Sequence, residues 1–234
     1  MQLTTEPVHS LDENRQKEFL ARLDMRLLEA YGPREFVARE PLDELVLTIL
    51  SQNTNDRNRD KAFNALKSAF PTWESVSEAS LEELMQLLKP AGLAPQKAPR
   101  IQNIVKRALS GELPLKDLKE MVPDEARKRL LAEDGVGVKT AHCVLLFSYD
   151  MPVFPMDTHI LRVFARLGVI PEKHNVEREH VRLSSYIASG RHKEFHLNVI
   201  RHGQLVCKAR NPLCHSCSIN DLCAYYISSL SKGD

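Results

Sequence analysis

"LLAEDGVGVKTAHCVLL" spans Leu130 to Leu146. Two glycines, Gly135 and Gly137, bracket one valine, and Lys139 follows two residues after the second. Glycine lets a backbone turn sharply and removes side chains that would block a close approach. The stretch therefore reads in one of two ways. It is an ordinary helix C-cap at Gly135 leading into another helix, or a hairpin whose outward amides grip an anion at the start of that helix. A bare Gly-x-Gly more often marks the first. Both readings place helices on either side of the glycines.

The same pattern continues outward along the chain. Phe19, Leu20, Leu23, Leu27 and Tyr31 recur at helical spacing, and Gly32-Pro33 stops the run. Leu42 to Leu50 is a dense apolar helix. Phe63, Leu66 and Phe70 mark the next, which ends at Pro71. Ser80 and Glu83 form a capping box ahead of "LMQLL". Ile101, Ile104, Val105 and Ala108 give another stripe, Pro114 opens a short helix, and Pro123 starts the one that runs into the glycines. Beyond them, Val138 to Phe147 is helical. Asp157 reads as the N-cap of "THILRVFARLG", with Gly168 as its stop. Glu177 to Ala188 and Phe195 to Val206 complete the set. "MPVFPM" is apolar but broken by prolines, so it reads as a crossing loop. Alternating strand patterns are essentially missing, and the expected fold class is all-α.

The chain has 234 residues, 43% of them hydrophobic, which suits one or two domains with a real core. No apolar run reaches the roughly 18 residues of a membrane span, and "MQLTTEPVHS" lacks the features of a signal peptide. A cytoplasmic protein with no membrane contact is expected. The net charge of +1 neither favours nor opposes nucleic acid. Locally, Lys97, Arg100, Lys106 and Arg107 cluster, as do Arg201, Lys208 and Arg210. Such groups form either a phosphate-holding face or solvated helix surfaces.

Four of the five cysteines crowd the tail, "CKARNPLCHSCSINDLC". Cys207, Cys214, Cys217 and Cys223 follow a C-x6-C-x2-C-x5-C spacing. Four thiolates this close suit one iron–sulfur cluster or one structural zinc. Zinc sites favour two C-x2-C knuckles and this tail has one, while bacterial ferredoxin spacing also differs. The spacing leaves the two metals evenly matched. Cys143 stands apart and reads as a buried core thiol.

The cysteine tail, "GVGVKTA" and "MDTHI", in this order and register, resemble the endonuclease III family of DNA glycosylases over about Leu42 to Cys223. That resemblance implies a [4Fe–4S] cluster on the four cysteines, with zinc the lesser choice. It implies two helical domains with a cleft between them. Residues 34–150 would form a six-helix barrel ending in a helix-hairpin-helix, and residues 1–33 and 151–234 the cluster domain. Lys139 and Asp157 would then come from opposite sides of the cleft. The implied partner is double-stranded DNA carrying damaged bases or abasic sites, met by a monomer. Gly135 and Gly137 would hold a phosphate. Lys139 would attack C1′ of a flipped nucleotide and form a Schiff base, followed by β-elimination. Asp157 would stabilise the charge on the sugar. An ordinary lysine is protonated and cannot attack, so partial burial is expected to favour its neutral amine. Asn53 of "SQNTND" falls where the family commonly inserts Gln into the duplex, and Leu93 of "GLAPQKA" matches its apolar wedge. Lys208 and Arg210 sit between the first two cysteines, with Arg210 expected on phosphate.

Each residue also has a plainer reading. Lys139 could be a solvated lysine, Asp157 only a cap, Asn53 a helix cap and Leu93 core. The family usually places Leu-Pro before the first glycine, where this chain has Glu133-Asp134. Two carboxylates beside a phosphate are expected to weaken the grip, and their replacement by Leu-Pro to tighten it. Pro95 and Pro99 are expected to stiffen the wedge loop. The rival functions are an adenine-mismatch glycosylase of the same superfamily, a catalytically weak binder of damaged DNA, and an electron carrier. The first normally lacks this lysine, and the last leaves the lysine and aspartate unexplained.

Overall fold

The computed structural model describes residues 6–34 and 36–231. Among them there is no strand, and no helix is long and apolar enough to cross a membrane. The α-helices run α1 Glu13–Tyr31, α2 Pro41–Ser51, α3 Asp56–Ala69, α4 Trp73–Glu78, α5 Leu81–Leu88, α6 Ala94–Ser110, α7 Pro123–Leu131, α8 Val138–Tyr149, α9 Thr158–Leu167, α10 Val176–Tyr186, α11 His192–Leu205 and α12 Ala224–Leu230. Two compact units form. One comprises Ala38–Met151, and the other Met1–Val37 with Pro152–Asp234.

Local chemistry sets most boundaries. Asp12, Asn55, Thr72, Ser80, Asp157 and Asn175 each cap a helix by accepting from a first-turn amide. The Ser80–Glu83 capping box is complete. Gly32, Gly111 and Gly168 end α1, α6 and α9 at positive φ. The segment 152–156 is the expected irregular crossing. The short helices α4 and α12 carry too few apolar positions to betray a period.

In the unit Ala38–Met151, α2 packs on α8, and α4 and α5 pack on α6. Leu45, Ile49, Leu66, Leu84, Ile101 and Val144 are fully buried there. Cys143 is buried too. In the other unit, Leu23 and Leu27 of α1 meet α9 and α11 across stacked Phe154, Phe164 and Phe195. Burial of this kind, at about 25 cal/mol per Å² of apolar surface, is the main drive for both cores.

Candidate active site and metal centre

The hairpin is built on Gly135. Its φ is +78°, which favours glycine; a Cβ there would meet Arg100 Cδ at 2.8 Å, and that flexible side chain would have to shift. The turn closes through Glu133 N to Leu130 O at 3.2 Å and Val136 N to Glu133 O at 3.1 Å. Gly137 then caps α8 without any side-chain bond to its first-turn amides. A Cβ on Gly137 would meet nothing within 4 Å, so the backbone is open to a close approach. Lys139 is half-buried in the first turn of α8.

Glu133 and Asp134 do not stand as free charges beside this turn: each is paired with an arginine of α6. Glu133 is buried, its side chain only 4% exposed, and it accepts from Arg107 at 2.8 Å. Asp134 accepts from Arg100 Nε at 3.0 Å. The two acids therefore fasten the hairpin to α6, and Glu133 occupies an inward position that Leu would otherwise fill. Arg107 is held in its charged form chiefly by its hydrogen bond to Glu133. The basic cluster on α6 changes meaning as well. Arg100 and Arg107 are paired, and Lys97 is buried, so α6 presents no run of free cations.

Asn53 and Leu93 are both exposed, and both adopt the left-handed region, at φ 54° and 53°. Neither fits its plainer reading: Asn55 is the residue that caps α3, and Leu93 lies outside the core at 44% exposure. Leu93 is itself the N-cap position of α6. Pro95 and Pro99 consequently lie inside α6, correcting the expectation of a proline-stiffened loop; the loop before α6 ends at Leu93. The neighbouring Gln52 donates its side-chain amide to Gly135 O at 3.0 Å and to Thr140 Oγ1 at 3.4 Å. Asn53, Leu93, the glycine hairpin and Lys139 thus belong to one unit, with the hairpin and the Asn53 turn joined directly.

Glu44 of α2 is buried near Lys139's charge. Burial raises its carboxyl pKa above the ordinary value, opposed by Arg39, Thr48 and Lys139. Arg39 reaches it at 3.3 Å and Thr48 Oγ1 at 3.3 Å.

In the other unit, Asp157 is half-buried and accepts from Ile160 N at 2.8 Å, which fixes the direction of its carboxylate. The helix it starts, α9, grips the tail. Arg162 donates to Cys207 O at 2.9 Å and Gly203 O at 2.7 Å. Arg166 donates to Lys208 O at 2.7 Å and Ala209 O at 3.2 Å, and lies 3.3 Å from Cys207 Sγ. Lys208 and Arg210 remain exposed on the loop so held.

Cys207, Cys214, Cys217 and Cys223 line one pocket, with Val163, Leu167 and Ile219 among its walls. Burial, then the neighbouring thiols, push Cys217 up to about 11. Such crowding is relieved when a cationic metal core takes the thiolate charge. Four cysteines lining one pocket can hold a cluster, with one cysteine on each iron, or a single zinc. His202 lies 3.6 Å from Cys217 Sγ through Nε2, with Nδ1 2.9 Å from the Tyr31 hydroxyl. Burial drops its pKa to about 4, so it is a neutral imidazole.

Several functional contacts escaped the sequence reading: Gln52 on Gly135, Lys97, the Arg162–Arg166 grip and His202 on Cys217. Only Lys97 left a signal, a charge inside the apolar stripe Ala94, Ala98, Ile101, Val105.

Comparison with known proteins fits this geometry. Residues 46–186 match the model of the HhH-GPD superfamily of base excision DNA repair proteins. Residues 207–223 match the iron-sulfur binding domain of endonuclease III. The chain is 31% identical to endonuclease III of Thermotoga maritima over 83% of this chain and 87% of that one. It is 32% identical to that of Escherichia coli strain K12, over 92% and 97%. A 34% identical match covers 57% of a longer Arabidopsis thaliana protein. A solved non-covalent endonuclease III–DNA complex superposes with a TM-score of 0.78 at 26% identity, over 94% of this chain and 99% of that one. The tail therefore carries the [4Fe–4S] cluster of these proteins. Hairpin, cysteine pocket and likeness along nearly the whole chain agree: the chain belongs to the endonuclease III family of base-excision DNA repair glycosylases.

Proposed function

We propose that this glycosylase is bifunctional, removing a damaged base and then cutting the strand at the abasic site. Oxidised pyrimidines in double-stranded DNA are its proposed substrates. The observation that carries the reading is Lys139 in the first turn of α8, directly behind the open cap at Gly137.

The amides of Gly135, Gly137 and the first turn of α8 take a backbone phosphate. Arg210, on the loop held by α9, takes another. Asn53 and Leu93 enter the duplex and displace the target nucleotide. Lys139 Nζ attacks C1′. The C1′–N bond breaks, and the base leaves with its electron pair and takes up a proton. Opening of the sugar ring leaves an imine between Nζ and C1′, with the proton on O4′. Asp157 stabilises the positive charge on the sugar. Removal of a C2′ proton then expels the 3′ phosphate, and water hydrolyses the imine to release Lys139. Cys207, Cys214, Cys217 and Cys223 hold the [4Fe–4S] cluster, which, when bound, cross-links the tail. Through Arg166 the pinned loop keeps Lys208 and Arg210 facing outward.

The weak-binder alternative rested on Glu133-Asp134 and Asn53; the pairing of the two acids with Arg107 and Arg100 weighs against the first of these grounds. Duplexes carrying single lesions, incubated with the protein, test the proposal. Oxidised pyrimidines should yield both a free base and a cut strand without alkali. A free base with no cut strand would make it monofunctional.

A further inference from the structure

Lys97 is 2% exposed, and its ammonium donates to three carbonyls: Leu50 O at 2.8 Å, Gln52 O at 2.7 Å and Ala91 O at 2.8 Å. A lysine has three N–H donors, so all are used and no carboxylate is involved. Two of the acceptors lie at the C-terminal end of α2, where the helix dipole favours a cation. The third closes the short 3₁₀ turn Lys89–Ala91. The next residue after Gln52 is Asn53, and the second after Ala91 is Leu93. These are two of the four described non-glycine residues with positive φ. Such conformations persist only where the surroundings over-determine them, and they gather at functional sites.

We infer that Lys97 is a positioning residue that locks the Asn53 turn and the Leu93 turn to one another, so that both enter a duplex as one rigid wedge. The inference rests on the proposed duplex-opening role of Asn53 and Leu93. Burying a cation this far is costly, and burial indeed lowers the Lys97 pKa. A buried apolar residue would serve a core better. Three carbonyls from two turns are what an ammonium can join and an alkyl group cannot. Gln52 extends the lock, because its carbonyl takes Lys97 while its side chain holds Gly135.

The test separates base extrusion from lysine chemistry. One substrate is a duplex with a paired oxidised pyrimidine beside 2-aminopurine, whose fluorescence reports unstacking. The other is a single-stranded abasic oligonucleotide trapped with borohydride, where there is no base to displace. Lys97→Met protein with its cluster absorbance and helical circular dichroism intact should lose the fluorescence rise and slow excision by about a hundredfold. Its trapping on the single strand should be unchanged. Equal loss on both substrates, or no loss on either, overturns the inference. Should Lys97→Met fail to fold, Lys97→Arg keeps the charge but not the three-way fit. It should show the same selective loss, with the same overturning outcomes. Asn53→Ala and Leu93→Ala are the controls for the underlying reading. If they leave the fluorescence rise intact, the wedge assignment fails, whatever Lys97 does.

Discussion

The side-chain amide of Gln52 donates to the carbonyl of Gly135 at 3.0 Å. One residue thus joins the end of α2 to the turn that precedes Lys139. The carbonyl it satisfies is at the left-handed glycine of the hairpin, where a partly buried acceptor left without a donor would be costly. Replacing Gln52 by Leu should destabilise the fold by about 1 kcal/mol. It should also weaken binding to damaged and undamaged duplex alike, because a phosphate contact reads no sequence. Fluorescence anisotropy with both duplexes checks this. Loss confined to the damaged duplex would place Gln52 with the lesion rather than with the hairpin.

Asp157 both caps α9 and, in the proposed chemistry, faces a cationic sugar. Asparagine caps as well as aspartate. Asp157→Asn should therefore keep the thermal midpoint while lowering the excision rate by about a hundredfold or more. Unfolding curves and single-turnover rates on the same preparation separate the two roles. A fall in both together would mean that the residue serves the helix alone.

Glu44 predicts a pH dependence. Its folded pKa is raised, chiefly by burial. Between the unfolded carboxyl pKa and the raised folded one, the folded protein binds more protons than the unfolded chain. This group's contribution to stability therefore falls as pH rises through that window, and stays reduced above it. Glu44→Gln should melt a few degrees higher at pH 7, with the gain shrinking as pH falls through the raised folded pKa and gone below the unfolded carboxyl pKa. A buried acid that costs stability beside Lys139 is a functional candidate, so the same variant should also cut more slowly. Melting curves from pH 4 to pH 8 check the first part.

Arg166 joins α9 to the cysteine tail through Lys208 O, Ala209 O and Cys207 Sγ. Arg166→Met keeps much of the volume and removes every donor. The cluster's visible absorbance should bleach several times faster in air, and DNA affinity should fall as Lys208 and Arg210 lose their fixed direction. Absorbance decay at fixed oxygen, with anisotropy alongside, measures both. Unchanged bleaching would mean that the four cysteines alone hold the cluster.

The sequence was most legible where local rules act. The caps at Asp157 and Ser80, the glycine stop at Gly168 and the apolar stripes depend on neighbours a few residues away. The cysteine spacing is likewise short-range. What stayed hidden depends on contacts between distant residues. Nothing near Glu133 in sequence tells that Arg107, on α6, turns it inward and neutralises it. Free carboxylates were therefore a fair expectation, and the structure pairs both with arginines. Pro95 and Pro99 misled in the opposite sense. Pro95 suits a helix's first turn, but Pro99, which has no N–H to give, sits inside α6 and the helix continues past it. Lys97 could be seen as a charge out of place, but not which three carbonyls it would find.

In the proposed chemistry Lys139 is the residue that forms the Schiff base. Borohydride reduction of the protein on abasic duplex, followed by proteolysis and mass spectrometry of the cross-linked peptide, tests it most directly. A covalent complex whose modified residue is Lys139 is expected, and none with Lys139→Ala. A complex that persists in Lys139→Ala, or a cross-link mapped to another lysine, would contradict it.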